Sequence, residues 1–180
     1  MALFEKTLAD AAIQRERSIR GQKLVSYDET FAETTAMGRM RWYLHPELFD
    51  ATTRSLYFHE LAIAAGERSG RLQTQGGHLH YVLAGSGHTD LDGTRHDWEE
   101  GDVIAIPIRE NGVTYQHVND GSEEARLLVV WPNFDSALGP EAGVEMRVLE
   151  PASEYAPHAG TANGPTTSSA PARRATHPDH

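Results

Sequence analysis

The central half of the chain is built of short apolar runs that turn signals interrupt every eight to twelve residues. From Ser55 onward these runs are rich in β-branched and aromatic residues, which is typical of strands in an all-β sandwich or barrel. Asp92-Gly93 lies between two runs and favours a tight hairpin turn, because glycine adopts positive φ without steric cost. The predicted strands are 55–64, 71–74, 78–84, 88–91, 94–97, 102–107, 114–119 and 125–131.

The two ends of the chain have different patterns. Residues 3 to about 20 carry apolar side chains at roughly helical spacing among charges, which predicts a short amphipathic helix. Residues 151–180 hold five of the nine prolines and almost no large apolar side chains, which predicts a disordered tail. We therefore expect an N-terminal helical arm at 1–40, a barrel at 41–150 and a tail at 151–180.

Composition narrows the function further. The formal net charge is −10, so clustered Lys and Arg for binding nucleic acid or an acidic membrane surface are not expected. No long apolar run opens the chain, which predicts a cytoplasmic protein without a membrane span. The chain has no cysteine, so any metal must be held by histidine, carboxylate or neutral oxygen ligands.

Three stretches carry a resemblance to a known family: "GGHLHYVLAGSG" at 76–87, "HDWEEGDVIAIPI" at 96–108 and "YQHVNDGSEEARLLVV" at 115–130. Together they resemble the two motifs of the cupin superfamily. The resemblance implies an all-β fold, a single cupin double-stranded β-helix barrel, jelly-roll-like, behind the N-terminal helical arm. It also implies a homodimer, because cupin barrels often pair their sheets.

Within that superfamily, the second motif is similar to that of gentisate-type ring-cleaving dioxygenases, which hold Fe(II) with three histidines. The resemblance places those ligands at Leu72, Thr74 and Tyr115 of this chain, and none of the three is a histidine. In cupins that add a glutamate ligand, the glutamate position falls on His78. Leucine cannot bind a metal, and tyrosine must first lose a proton of pKa about 10. The inherited site is therefore expected to be empty.

Strand alternation provides a second possibility. Side chains two residues apart share a face, so His78 and His80 point one way, and Tyr115 and His117 point one way on the opposing motif. The resemblance makes that face the barrel interior. We therefore predict a relocated metal site of His78, His80 and His117 for a divalent transition metal, with Fe(II) favoured and Zn(II), Mn(II) or Ni(II) as alternatives. His59 is a further candidate ligand.

The function that these residues favour is a metal-dependent enzyme that acts on a small organic, possibly aromatic, acid, with dioxygenase-like oxidoreductase chemistry. Tyr115 would then serve as a catalytic acid or contact the substrate, and Arg39 or Arg41 could pair with its carboxylate. Two alternatives remain open. One is a metal-free cupin that binds a small molecule without catalysis, and the other is a non-redox lyase or isomerase that uses His117 and Tyr115.

Overall fold

The fold is mostly β-strand, with one N-terminal α-helix. We describe it from a computed structural model, which places residues 2–48, 50–134 and 146–155. The helix α1 spans Leu3–Arg20, and a 3-10 turn spans Tyr27–Glu29. The strands among the described residues are β1 Phe31–Thr35, β2 Gly38–Leu44, β3 Leu56–Ile63, β4 Arg71–Thr74, β5 His78–Ala84, β6 Ser86–Leu91, β7 Thr94–Glu99, β8 Val103–Ile106, β9 Val113–Asn119, β10 Ala125–Pro132 and β11 Arg147–Glu150.

The strands form two antiparallel sheets that face each other. One sheet has the order β1-β2-β3-β10-β5-β8, and the other has the order β11-β4-β9-β6-β7. Alternate residues of each strand point between the sheets, where Leu61, Val82 and Leu127 are almost completely buried. The prediction of an all-β barrel with an N-terminal helix is confirmed.

The hairpin between β6 and β7 has the turn that the sequence predicts. Asp92 and Gly93 both have positive φ, 50° and 79°, and Leu91 pairs with Thr94 across the turn. Two consecutive positive φ angles are characteristic of a type I′ turn, whose twist matches that of the flanking strands. Each strand that the sequence predicts is present.

The N-terminal part differs from the predicted arm in one respect. Helix α1 matches the predicted residues, but none of its side chains is buried. Residues 31–44 instead form the hairpin β1–β2, which joins the larger sheet through pairing of β2 with β3. Met40 and Trp42 point into the core from β2, so this segment belongs to the barrel.

The C-terminal boundary also lies later than predicted. Ala152 is 3% exposed, and its backbone N–H donates to the carbonyl oxygen of Ala36 at 2.7 Å. Glu154 forms an ion pair with Arg39 at 3.1 Å. Residues 151–155 of the predicted tail therefore pack against the barrel, while 156–180 lie outside the described residues. No helix in the described part of the chain has the length and apolar character needed to cross a membrane.

Candidate functional site in the barrel

A cavity of about 280 Å³ lies between the two sheets. The alternation of β5 directs His78 and His80 into it, whereas Leu79 and Tyr81 between and beyond them are exposed. Tyr115 on β9 enters from the opposite sheet. The complete lining is Thr35, Ala36, Met37, Met40, His59, Leu61, Leu72, His78, His80, Tyr115, Val129, Trp131, Met146 and Val148.

Trp131 organises one wall of the cavity. Its ring stacks on that of His78, with centroids 5.3 Å apart, and meets the ring of His59 edge-on at 4.9 Å. Sequence reasoning kept His59 as a candidate but missed Trp131, which lies at the end of β10. Side chains two residues apart share a face, so an inward direction for Leu127 and Val129 could have pointed to an inward direction for Trp131.

Several polar atoms at this wall are buried without a hydrogen-bond partner among the described residues. They are His59 Nδ1, His78 Nε2, His80 Nε2 and Trp131 Nε1. Buried polar atoms are normally paired, because an unpaired one keeps the full cost of leaving water. Four such atoms around one cavity therefore indicate a place where a ligand or a water completes the hydrogen bonding.

Burial also keeps these imidazoles uncharged. Desolvation lowers the pKa of His78 to about 4 and, together with the charge of His78, lowers the pKa of His59 to about 3. Desolvation and the neighbouring histidines hold the pKa of His80 well below 6.5. Burial raises the pKa of Tyr115, whose hydroxyl lies 3.5 Å from His78 Nδ1. The polar groups of the cavity are therefore neutral at neutral pH.

His117 faces the barrel interior, as alternation predicts, but it does not line the cavity. Its Nε2 lies 2.8 Å from His80 Nδ1, and its Nδ1 lies 2.8 Å from Thr89 Oγ1. The indole N–H of Trp98 also donates to Thr89 Oγ1, at 3.1 Å. Both ring nitrogens of His117 are therefore engaged inside the protein.

The predicted metal ligands do not converge. A divalent transition metal needs ligand nitrogens about 2.0–2.1 Å from the ion, so any two of them lie within about 4.2 Å of each other. In the described part of the chain, His78, His80 and His117 do not form such a set. Neutral imidazoles suit the metal chemically, but as folded these three residues do not fit a three-histidine centre.

Ligand atoms do come within 4.8 Å of one another in a different place, at the surface residues His88, Asp97 and Asp120. His88 Nδ1 contacts Asp120 at 2.5 Å, and Arg95 bonds both carboxylates at 2.7 and 2.9 Å. Arg95 therefore already offsets part of the negative charge that would attract a cation, and we interpret the set as a surface ion-pair network.

The positions that the family resemblance assigns to metal ligands have other roles here. Leu72 and Tyr115 line the cavity, and they pair with each other across β4 and β9. Thr74 is buried outside the cavity lining. His78, at the glutamate position, is the one of these four residues that offers a nitrogen to the cavity.

The arginines proposed for a substrate carboxylate are engaged elsewhere. Arg39 forms ion pairs with Glu124 and Glu154 on the outside of the barrel. Arg41 donates to Thr30 Oγ1 at 2.9 Å and lies over the ring of Tyr27. Neither residue lines the cavity.

The comparisons with solved structures give the same fold. The chain resembles the polyketide cyclase RemF from Streptomyces resistomycificus at 22% identity, over 62% of this chain and 79% of that one, with a TM-score of 0.51. A Cupin 2 conserved barrel domain protein from Salinispora arenicola is 19% identical over 68% of this chain and 96% of that one, with a TM-score of 0.50. Procruciferin, an 11S globulin from Brassica napus, is 16% identical over 73% of this chain and 35% of that one, with a TM-score of 0.55.

Sequence comparison finds a family resemblance in the central part of the barrel. No curated protein sequence matches the chain. The family model described as a cupin domain matches residues 59–131, from the middle of β3 to the end region of β10. These are the strands that supply His59, His78, His80, Tyr115 and Trp131 to the cavity. Residues 59–131 of this all-β barrel thus resemble a cupin domain.

Proposed function

We propose that the barrel cavity binds a small, uncharged and largely aromatic molecule. The observation that carries the proposal is the cavity itself, about 280 Å³ of space lined by apolar and aromatic side chains with unpaired ring nitrogens on one wall. Ligand sites are typically apolar clefts in which a few placed polar groups fix the orientation.

The proposal departs from the predicted organic acid because of charge. No Lys, Arg, Asp or Glu of the described residues lines the cavity. A carboxylate would lose its hydration there without gaining a cationic partner, which is strongly unfavourable. A neutral ligand avoids that penalty and still accepts or donates hydrogen bonds at His78 and His80.

Shape and composition of the lining favour an aromatic ring. Trp131 and Tyr115 line the cavity from opposite sheets, and the rings of both contact the ring of His78. Met37 and Met40 lie on the lining beside them, and their flexible thioethers adapt to planar ligands and make favourable contacts with aromatic rings.

His78 and Tyr115 are the groups best placed for proton transfer to such a ligand. The neutral His78 ring has an unpaired Nε2, and its Nδ1 lies near the Tyr115 hydroxyl. The non-redox alternative from the sequence paired Tyr115 with His117, but His117 is separated from the cavity by His80. A lyase or isomerase reaction would therefore use His78, in place of His117, as the acid-base partner of Tyr115.

The proposal can be tested by calorimetric titration with two matched aromatic probes, acetylnaphthalene and naphthoate. We expect the neutral ketone to bind at least about tenfold more tightly than the carboxylate. Val129→Phe, which fills the cavity, should abolish binding. Its control, Val130→Phe, changes the neighbouring residue whose side chain points to the other face of β10, and should leave binding unchanged. Tighter binding of the carboxylate would refute the proposal.

A metal-dependent enzyme is the second candidate. It is favoured by the unpaired Nε2 atom of His78 and by the 2.8 Å separation of His80 Nδ1 and His117 Nε2, close to that of neighbouring ligand atoms on one ion. The side chains would have to rearrange for His78 to join them. A metal there would supply a Lewis acid.

Elemental analysis separates the two candidates. After reconstitution with Fe(II), Zn(II), Mn(II) and Ni(II) in turn, our account expects well below one ion per chain. A content near one ion that His78→Ala removes and Thr74→Ala preserves would establish the metal site and replace the first proposal.

A further inference from the structure

A buried series of hydrogen bonds leads from the smaller sheet to the cavity. It runs from Trp98 Nε1 to Thr89 Oγ1, from there to His117 Nδ1, and from His117 Nε2 to His80 Nδ1. Thr89 and His117 are 0% exposed and His80 is 1% exposed. The far end of the series is His80 Nε2, which has no partner among the described residues.

The number of protons that each group carries fixes which group donates and which accepts in each of these hydrogen bonds. An indole nitrogen can only donate, so Trp98 uses one lone pair of the Thr89 oxygen. The Thr89 hydroxyl then has its own proton to place. In the described part of the chain, the acceptor in contact with Oγ1 is His117 Nδ1. The opposite direction would leave a fully buried O–H without an acceptor, which is disfavoured.

The hydrogen bond that each imidazole accepts fixes which of its two nitrogens carries the proton. A neutral imidazole carries one N–H and one lone pair, so His117 that accepts at Nδ1 must donate from Nε2. His80 then accepts at Nδ1 and carries its proton on Nε2. Burial keeps both rings neutral, since it lowers the pKa of His117 to about 3 and that of His80 well below 6.5.

We propose that Thr89 and His117 are positioning residues that fix His80 as an N–H donor into the cavity. The ligand that matches this donor is an uncharged aromatic molecule with an acceptor oxygen, such as a ketone or quinone carbonyl. A preoriented neutral imidazole can polarise such a carbonyl without bringing a charge into the cavity. The carbonyl class rests on the proposed function, whereas the tautomer of His80 does not.

The same direction opposes binding of a metal at His80 Nε2. A histidine that binds a metal offers a lone pair and donates its other N–H to a nearby acceptor. His80 would have to carry its proton on Nδ1, and His117 would have to donate from Nδ1 to Thr89. The hydroxyl proton of Thr89 opposes that arrangement.

Long-range proton–nitrogen correlation spectra of the full-length protein, recorded without ligand at neutral pH, test the direction. We expect His80 and His117 both to carry their protons on Nε2. Thr89→Ser keeps the hydroxyl and should preserve both tautomers, whereas Thr89→Val removes it and should shift His117 and His80 toward Nδ1–H. Protons on Nδ1 in the wild-type protein, or unchanged tautomers in Thr89→Val, would overturn the proposal.

Binding of two matched probes tests the consequence for the ligand. Acetylnaphthalene has a carbonyl where ethylnaphthalene has a methylene group, so the wild-type protein should prefer the ketone by at least about tenfold. In Thr89→Val this ratio should fall toward one while the affinity for ethylnaphthalene is unchanged. An unchanged ratio would overturn the positioning role. If neither probe binds, the proposed function fails, and the spectra still decide the direction of the series.

Discussion

At the scale of single residues, the barrel buries four histidines close together. His59, His78, His80 and His117 are between 0% and 4% exposed, and all lie between the two sheets. Burial favours the uncharged imidazole, so each ring is neutral in the folded protein and acquires a proton more easily when the chain unfolds. The stability of the barrel should therefore depend on pH.

The direction in which pH changes the stability follows from the difference in bound protons between the folded and the unfolded chain. The folded-state pKa values of His59, His78 and His117 are lowered to about 3, 4 and 3, below the unfolded value near 6.5, so the unfolded chain binds more protons. The free energy of unfolding is therefore highest above pH about 6.5, and it decreases as the pH falls below that value. At one pH unit below the unfolded pKa, each of these three histidines should have lowered the free energy of unfolding by about 1.4 kcal/mol. Urea denaturation at a series of pH values measures this loss.

A pair of variants assigns the effect to the buried rings. His59→Phe removes one buried titrating group and should flatten the dependence of unfolding free energy on pH. Leu79→Gln changes an exposed residue that does not titrate and should leave the slope as it is. Equal slopes in wild type and His59→Phe would show that His59 does not contribute as a buried neutral ring.

At the scale of elements, the link between β4 and β5 decides where the site histidines lie. Strand β4 belongs to the smaller sheet and β5 to the larger, so the chain crosses from one sheet to the other within three residues. Gly76 and Gly77 have positive φ, 91° and 78°. A Cβ on Gly76 would lie 1.9 Å from the carbonyl oxygen of Pro107, so only glycine permits this close passage.

Two glycine substitutions separate conformational strain from this close contact. Gly66→Ala adds a methyl group at φ 74° in open space, so it should lower the unfolding free energy by only about 1 kcal/mol. Gly76→Ala has comparable strain and also collides with backbone, so it should cost at least about 2 kcal/mol more. Thermal unfolding measures both, and equal losses would contradict the crossing geometry.

The sequence predicted the elements well where alternation and turn residues coincide, as at the Asp92-Gly93 hairpin. It missed β1, β2 and β11, which lie near the ends of the described chain. The predicted helical spacing ended near residue 20, but the predicted arm continued to residue 40, and Met40 and Trp42 were not recognised as inward-facing strand residues. The predicted arm of 1–40 therefore overlapped the barrel.

At the scale of the whole molecule, the barrel is closed by segments distant in sequence. Strand β11 pairs with β4, and Met146 and Val148 line the cavity beside residues of the β1–β2 turn. Residues 151–155 then hold the end of β11 against the barrel, through the backbone hydrogen bond of Ala152 and the ion pair of Glu154. The cavity is thus completed by residues outside the matched cupin segment. The predicted homodimer stays a prediction.

Shortening the chain tests this closure. A chain that ends at residue 150 lacks the buried Ala152 and the Glu154 ion pair, whereas a chain that ends at residue 155 keeps both. We expect the shorter chain to melt at least about 3 °C below the longer one, as a loss near 1 kcal/mol produces. Identical melting temperatures would show that these contacts do not stabilise the barrel.

The candidate site could be predicted only in part. Alternation, with the interior face taken from the family resemblance, placed His78, His80, Tyr115 and His117 inside the barrel, where the structure has them. Alternation fixes the face of a side chain but not its depth or its partner, so the contact of His117 with Thr89 was not foreseen. The neutral lining depends on which strands meet around the cavity, and a local motif carries no such information.

The central claim is that the cavity beside Trp131 is the ligand site, and the indole N–H signals of the three tryptophans test it most directly. Trp42 Nε1 donates to Glu33 and Trp98 Nε1 donates to Thr89, whereas Trp131 Nε1 has no partner among the described residues. On titration with acetylnaphthalene, the Trp131 signal should move far more than the other two. A Trp131 signal that stays fixed while the ligand binds would place the site elsewhere and contradict the account.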